Sequence, residues 1–182
     1  MDGRRNEIVK IDIGKENNME IWDILDSEGN KTGRTMVKGE ENVPEGFYHL
    51  GADVWIKNSE NKILIQKRSP QKRLSPNVWA MTGGSVIKGE TSIETIEREA
   101  LEEMGVNLNI KDAKMLAHFK TGNVWIDTYF LKQDIDLNKV IMKEDEVSEV
   151  RWATYEEIEE IYQNGQFIKN RWEFVKDIIK DF

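Results

Sequence analysis

The chain has no cysteine. That single absence removes disulfides, zinc–thiolate and iron–sulfur ligation and thiol nucleophiles together. No run approaches the roughly 18 uncharged apolar residues of a membrane span, and residues 1–15, MDGRRNEIVKIDIGK, lack the apolar stretch of a secretory leader, so a cytoplasmic protein is expected. Cationic excess is missing too. With 34 acidic and 26 basic residues the net charge is −8, the wrong sign for displacing counterions from a nucleic-acid duplex. No linker interrupts the 182 residues, a length that suits one domain. What is present, 38% hydrophobic residues with six tryptophans against 33% charged, fits a globular core under a well-solvated surface.

Residues 1–18 are mixed and charged, and fraying is expected there. MEIWDILD (residues 19–26) alternates polar and apolar, Ser27-Glu28-Gly29-Asn30 supplies turn chemistry, and residues 31–37 complete a hairpin. A loop over 38–46 leads into strands over 47–57 and 62–67. The latter, KILIQK, is mostly apolar and suits burial on both faces. Residues 68–79, RSPQKRLSPNVW, hold two prolines and no helical period, which predicts a basic loop; 79–86 follow as one short strand containing Gly83-Gly84. Strands over 113–122 and 124–133 make a second hairpin, and 107–112 and 134–143 read as connections. A strand over 148–153, a helix capped by Thr154 and Glu157, and a last helix with Ile168, Trp172, Val175 and Ile179 at helical spacing complete the chain.

Between the glycine pair and the second hairpin lies GSVIKGETSIETIEREALEEMGV, residues 84–106, with six acidic residues. Thr91 and Glu94 form a capping-box pattern and Gly105 a C-terminal stop, so a helix spans the middle. Its apolar side is Ile93, Ile96, Ala100, Leu101 and Met104, which predicts packing against a sheet. Glu99, Glu102 and Glu103 share one strip of surface, centred roughly 120° from that side, and look into a cleft at the edge of the core. Carboxylates so spaced repel each other, and an oxygen-preferring divalent cation is the natural compensator. A solvated acidic helix face would read the same way by charge alone.

The spacing adds more than charge. Gly84, five residues, Glu90, seven residues, then Arg98-Glu99-Ala100-Leu101-Glu102-Glu103-Met104-Gly105-Val106 resembles a complete Nudix box, with Ala100 where a bulkier aliphatic is usual. The resemblance implies an α/β (α+β) fold: an α/β/α sandwich with a mixed sheet over residues 19–182, comprising a β extension (19–46), a core (47–163) and a C-terminal helix (164–182). It implies Mg²⁺ or Mn²⁺ as cofactor, held by Glu99, Glu102 and Glu103. Arg98 joins those three as catalytic residues and pairs with Glu90, while Gly84 and Gly105 shape the turns. The implied activity is hydrolysis of a nucleoside diphosphate linked to another moiety.

EIWDILDSEGNKTGR, YHLGADVWI, LIQKRSPQK and WAMTGGSV are similar to the Nudix subgroup related to isopentenyl-diphosphate isomerase. Arg68 and Lys72 match that enzyme's diphosphate-contacting pair, which with Gly83 and Gly84 makes them candidate substrate contacts. His49 matches one of its histidines. Gly83 and Ser85, however, stand where the isomerase keeps a cysteine and a second histidine, which argues against isomerase chemistry; that chemistry and a non-catalytic nucleotide-binding module are the alternatives to the hydrolase. Glu144, Glu146 and Glu149 are candidates for a further ligand or base, although a solvated acidic turn explains each of them. Trp55, Trp79, Trp125 and Trp152 sit in strand contexts that favour core positions over base stacking. Position 120 is lysine and the nearest downstream tyrosine is Tyr129, so the family's ADP-ribose and dinucleoside polyphosphate signatures are both missing. The expected partner is a small diphosphate, and the hairpin and last helix are candidate homodimer contacts.

Overall fold

The computed structural model describes residues 19–39 and 42–182; the fraying expected of residues 1–18 lies outside the described residues. Strands β1 (Ile21–Leu25) and β2 (Lys31–Val37) form the expected antiparallel hairpin. Its turn is closed by the Asp26 carboxylate, which accepts from the amides of Glu28 and Asn30, both at 2.9 Å. The hairpin is tied to the rest of the chain: Leu25 and Tyr48 exchange backbone hydrogen bonds of 2.7 and 3.0 Å, and Trp22 stacks on His49 with ring centroids 4.1 Å apart.

The main sheet contains β3 (His49–Lys57), β4 (Ile63–Arg68), β5 (Trp79–Ala80), β6 (Thr82–Ser85), β7 (Lys114–Thr121), β8 (Val124–Lys132) and β9 (Val147–Ala153). It is mixed, because β3 and β8 run parallel while the other pairs are antiparallel. Strands β3 and β4 are paired only where Lys57 meets Ile63. Beyond that point the sheet forks: β3 carries β6 and β8, and β4 carries β5 and β9. The fork splits what the sequence suggests is one strand over 79–86. Trp79–Ala80 pairs with one arm, Thr82–Ser85 with the other, and buried Met81 crosses between them.

Helix α1 (Ser92–Met104) packs on one face of the sheet, and α2 (Tyr155–Gln163) and α3 (Lys169–Lys180) on the other. Alternation along β3 serves both layers. Ala52, Val54 and Ile56 join Leu64, Ile96, Ala100 and Met104; Trp55 joins Trp79, Phe167, Trp172, Val175 and Ile179. The expected α/β/α layering results. The 107–112 and 134–143 connections are less polar than they read: Leu108 is buried, and Ile135, Leu137 and Val140 pack on the core. Among the described residues no helix is long and apolar enough to cross a membrane.

Both capping-box bonds of α1 form, and Gly105 ends it in the left-handed region at φ 67°. The buried face is turned from the expected one. Leu101 is 50% exposed, and Ser92, Thr95 and Glu103 are buried beside Ile96, Ala100 and Met104. Glu103 therefore points inward, beneath the strip it was expected to share with Glu99 and Glu102, because β4 offers it a hydrogen-bonding partner. Leu101→Ala should accordingly change stability by less than about 0.5 kcal/mol, whereas Trp172→Ala, at a fully buried position, should cost about 3–5 kcal/mol. Urea denaturation of the two variants measures the difference.

Candidate active site

A cleft of about 760 Å³ opens beside the fork. The loop entering α1 and the middle of the helix supply its organising contact. Arg98 Nε donates to Glu90 Oε1 at 2.8 Å, Nη1 to Glu99 Oε1 at 2.9 Å and, at a long 3.5 Å, to Glu102 Oε2; Nη2 donates to the Ser85 carbonyl at 3.2 Å. The expected Arg98–Glu90 pair is present. Thr95 Oγ1 braces the other Glu90 oxygen at 2.9 Å. Burial works against the Arg98 charge, but Glu90 and Glu99 outweigh it and hold its proton more tightly than usual.

The carboxylates are strained by position. Burial pushes the Glu99 pKa up, against the pull of Arg98. Burial lifts Glu103 from 4.5 to about 7, although Gln66 Nε2 donates to it at 2.7 Å. Gln66 Oε1 is buried and unpartnered. The sequence reading missed Gln66, and the available signal was a polar residue inside the apolar KILIQK strand. The glycine pair makes room for both sides of the site. A Cβ at Gly84 would lie 2.1 Å from Glu99 Oε1, and one at Gly83 would lie 2.4 Å from the Ala52 carbonyl oxygen and 2.7 Å from Asp53 Cβ.

The other sequence candidates separate clearly. Arg68 and Lys72 line the cleft but have protein partners: Arg68 braces its own loop through the carbonyls of Leu74 and Ser75 at 3.0 and 3.1 Å, and Lys72 pairs with Glu146. Glu146 lines the cleft as well. Glu149 does not; it is exposed on β9 opposite Lys67, so strand direction removes it from the site. Glu144 is exposed and contributes only its carbonyl, to Ser69 Oγ at 2.8 Å. His49 lines the cleft, but the hydrogen bond expected of a core histidine is lacking at Nδ1. Burial, with Lys38 and Arg171 nearby, lowers its pKa to about 4 and keeps it neutral. Asp53 and Arg171, which no sequence argument singled out, also line the cleft. None of the six tryptophans does.

Among the described residues no three carboxylate or imidazole groups enclose an ion as they stand. The Arg98 guanidinium bonds to Glu99 and reaches Glu102 instead. The donor set nonetheless suits a hard divalent cation: two carboxylates raised in pKa by burial, a third at their side, and an unpartnered amide oxygen next to Glu103.

A family model described as NUDIX domain matches residues 47–178. An uncharacterized Nudix hydrolase of Listeria monocytogenes is 38% identical over 153 residues, covering 82% of this chain and 89% of that one. An isopentenyl-diphosphate Delta-isomerase of Corynebacterium diphtheriae is more distant, 27% identical over 92 residues and half of each chain. The crystal structure of DR0079 from Deinococcus radiodurans superimposes with a TM-score of 0.73 at 23% identity, over 89% of this chain and 98% of that one, a likeness of fold.

The buried Glu103 carboxyl has a stability consequence. Its folded pKa of about 7 exceeds the ordinary 4.5, so the fold favours the protonated form, and stability is lost as pH rises from the lower value through the higher one. A shift of that size is on the order of 3 kcal/mol. Metal-free Glu103→Gln is therefore expected to gain stability over the native chain between about pH 5 and about pH 8. Thermal unfolding in EDTA at both pH values tests this, and a gap that stays constant with pH would refute it.

Proposed function

The chain belongs to the Nudix hydrolase family, and from that premise we propose that it cleaves a phosphoanhydride bond in a small molecule carrying a diphosphate, such as a nucleoside diphosphate linked to another moiety. The observation that carries the reading is the convergence of Glu99, Glu102 and Glu103 on one cleft with the basic 68–73 loop. In this reading Glu99, Glu102 and Glu103 hold Mg²⁺ or Mn²⁺. When bound, the ion neutralises phosphate oxygens and acidifies the attacking water. Arg98 keeps the ligand carboxylates and the preceding loop in register. Lys72 and Arg68 meet the diphosphate, Lys72 by giving up its bond to Glu146 and Arg68 while still shaping its loop. In the same reading Glu146, which lines the cleft whereas Glu144 and Glu149 do not, takes the water's proton.

Two other readings are weaker. Isomerase chemistry lacks its cysteine, and the Gly83 position has no room for a side chain. A module that only binds would not need the complete carboxylate set. The test is a panel of nucleoside triphosphates, sugar nucleotides, dinucleotides and prenyl diphosphates with Mg²⁺ or Mn²⁺, read as phosphate after a coupled phosphatase. On the substrate it reveals, Glu102→Gln is expected to lower turnover at least about 100-fold, the scale of losing one electrostatic stabiliser of the transition state, with a melting temperature within a few degrees of the native chain. Unchanged turnover in that variant would remove the hydrolase reading; no product from any compound, with a ligand that still raises the melting temperature, would favour the binding module.

A further inference from the structure

Helix α3 docks through Trp172, Val175 and Ile179, all essentially buried, and needs no charge to do so. Next to Trp172, however, Arg171 enters the cleft and places Nε 3.0 Å from Asp53 Oδ2, an ion pair whose alignment leaves that buried oxygen without a hydrogen bond. Asp53 is 2% exposed, and its other oxygen accepts from Thr128 Oγ1 at 2.7 Å. Both groups are displaced from their ordinary ionisation by burial, Asp53 upward to about 6 and Arg171 downward. A buried ion pair contributes little where apolar side chains would pack as well, so docking the helix does not explain this one. Among the described residues Arg171 has no hydrogen bond or ion pair beyond the Nε contact to Asp53, and Thr128 holds the other Asp53 oxygen in place.

The position of Arg171 separates it from the box carboxylates. Adjacent residues of β6 face opposite sides of the sheet: Gly84 abuts Glu99, and Gly83 abuts Asp53. The strand thus lies between Glu99 and the Asp53–Arg171 pair, although both border one cleft. The described cleft lining contains no tryptophan, tyrosine or phenylalanine, which leaves charge rather than ring stacking to recognise the distal part of a substrate. An arginine paired with a buried carboxylate through Nε, with two terminal nitrogens available, is suited to bidentate capture of a planar or tetrahedral oxyanion. We propose that Arg171, positioned by Asp53, forms a second anion subsite, which takes an oxyanion group of the substrate other than the diphosphate at the box carboxylates. The substrate class is then a diphosphate with a second anionic end; this rests on the hydrolase reading, whereas the subsite itself can be tested without turnover.

Inorganic phosphate is titrated into metal-free protein in EDTA and followed by amide NMR, which distinguishes the amides of Asp53, Gly83 and Arg171 from those of the 68–73 loop. Saturable shifts are expected at the first group. In Arg171→Met the affinity read there should fall roughly 10- to 100-fold, the range for losing a charge-assisted hydrogen-bonded pair, with the loop amides unaffected. Since that variant leaves Asp53 buried without its partner, Arg171→Met/Asp53→Asn provides the same loss in a chain free of the unpaired carboxylate. On a substrate found in the panel, the KM of either variant should rise about 10-fold or more with kcat within about threefold. Unchanged phosphate affinity at these amides, or no saturable shift there in the native chain, would overturn the subsite. Phosphate binding there in a protein that hydrolyses nothing would instead remove the hydrolase reading and leave the subsite standing.

Discussion

Arg98 is the contact on which the rest of the site depends. Its guanidinium reaches three carboxylates and one strand carbonyl, those of Glu90, Glu99, Glu102 and Ser85. It thereby joins the loop before α1, the helix and β6 into one unit. Like charges at helical spacing destabilise a helix by a few tenths of a kcal/mol per pair in water, and partial burial enlarges the effect. One cation shared among them offsets part of that repulsion. The glycine at position 84 is a consequence of the same crowding, since a methyl group there would occupy the space of the Glu99 carboxylate. Glu103, outside the reach of Arg98, depends on Gln66.

The fork of the sheet turns this unit into a site. Were β3 and β4 paired along their whole length, β6 and β5 could not occupy the edges that frame the cleft. The two appended elements complete it from outside the core: the hairpin brings Lys38 and the last helix brings Arg171 to the cleft. Positive groups from four separate segments, including Lys72 and Lys143, thus surround a carboxylate centre in a protein of net charge −8. Cations and carboxylates thus meet in one cleft, an arrangement suited to a small anion bound together with a cation.

The parts legible in the sequence were those set by short-range rules. Capping residues, turn residues, period-two strands and the fixed spacing of residues 84–106 all concern neighbours in the chain; they located α1 and both hairpins, and they put Glu99 and Glu102 on the helix face that borders the cleft. What escaped depended on partners far along the chain. Hydrophobicity assigned Leu101 to the core and left Glu103 beside it, yet a hydrogen bond from β4 reverses the two. The partner change at Met81 leaves no mark in WAMTGGSV, because both halves are equally good strands. Arg68 read as a free cation and is a brace for its own loop. Asp53 was visible as a charge within an apolar strand and Arg171 as one of several charges on the last helix, but nothing local indicated that they belong together.

The central claim is that the crowding of Glu99, Glu102 and Glu103, tolerated through Arg98 and Gln66, exists for a divalent cation. Titration of Mn²⁺ into metal-free protein, with the free ion followed by electron paramagnetic resonance, tests it without reference to any substrate. The account predicts saturable binding in the native chain, and in Glu99→Gln an affinity at least about 10-fold weaker, as expected when a ligand is lost from a small oxygen-donor site. No saturable binding, or equal binding by the two proteins, would contradict it.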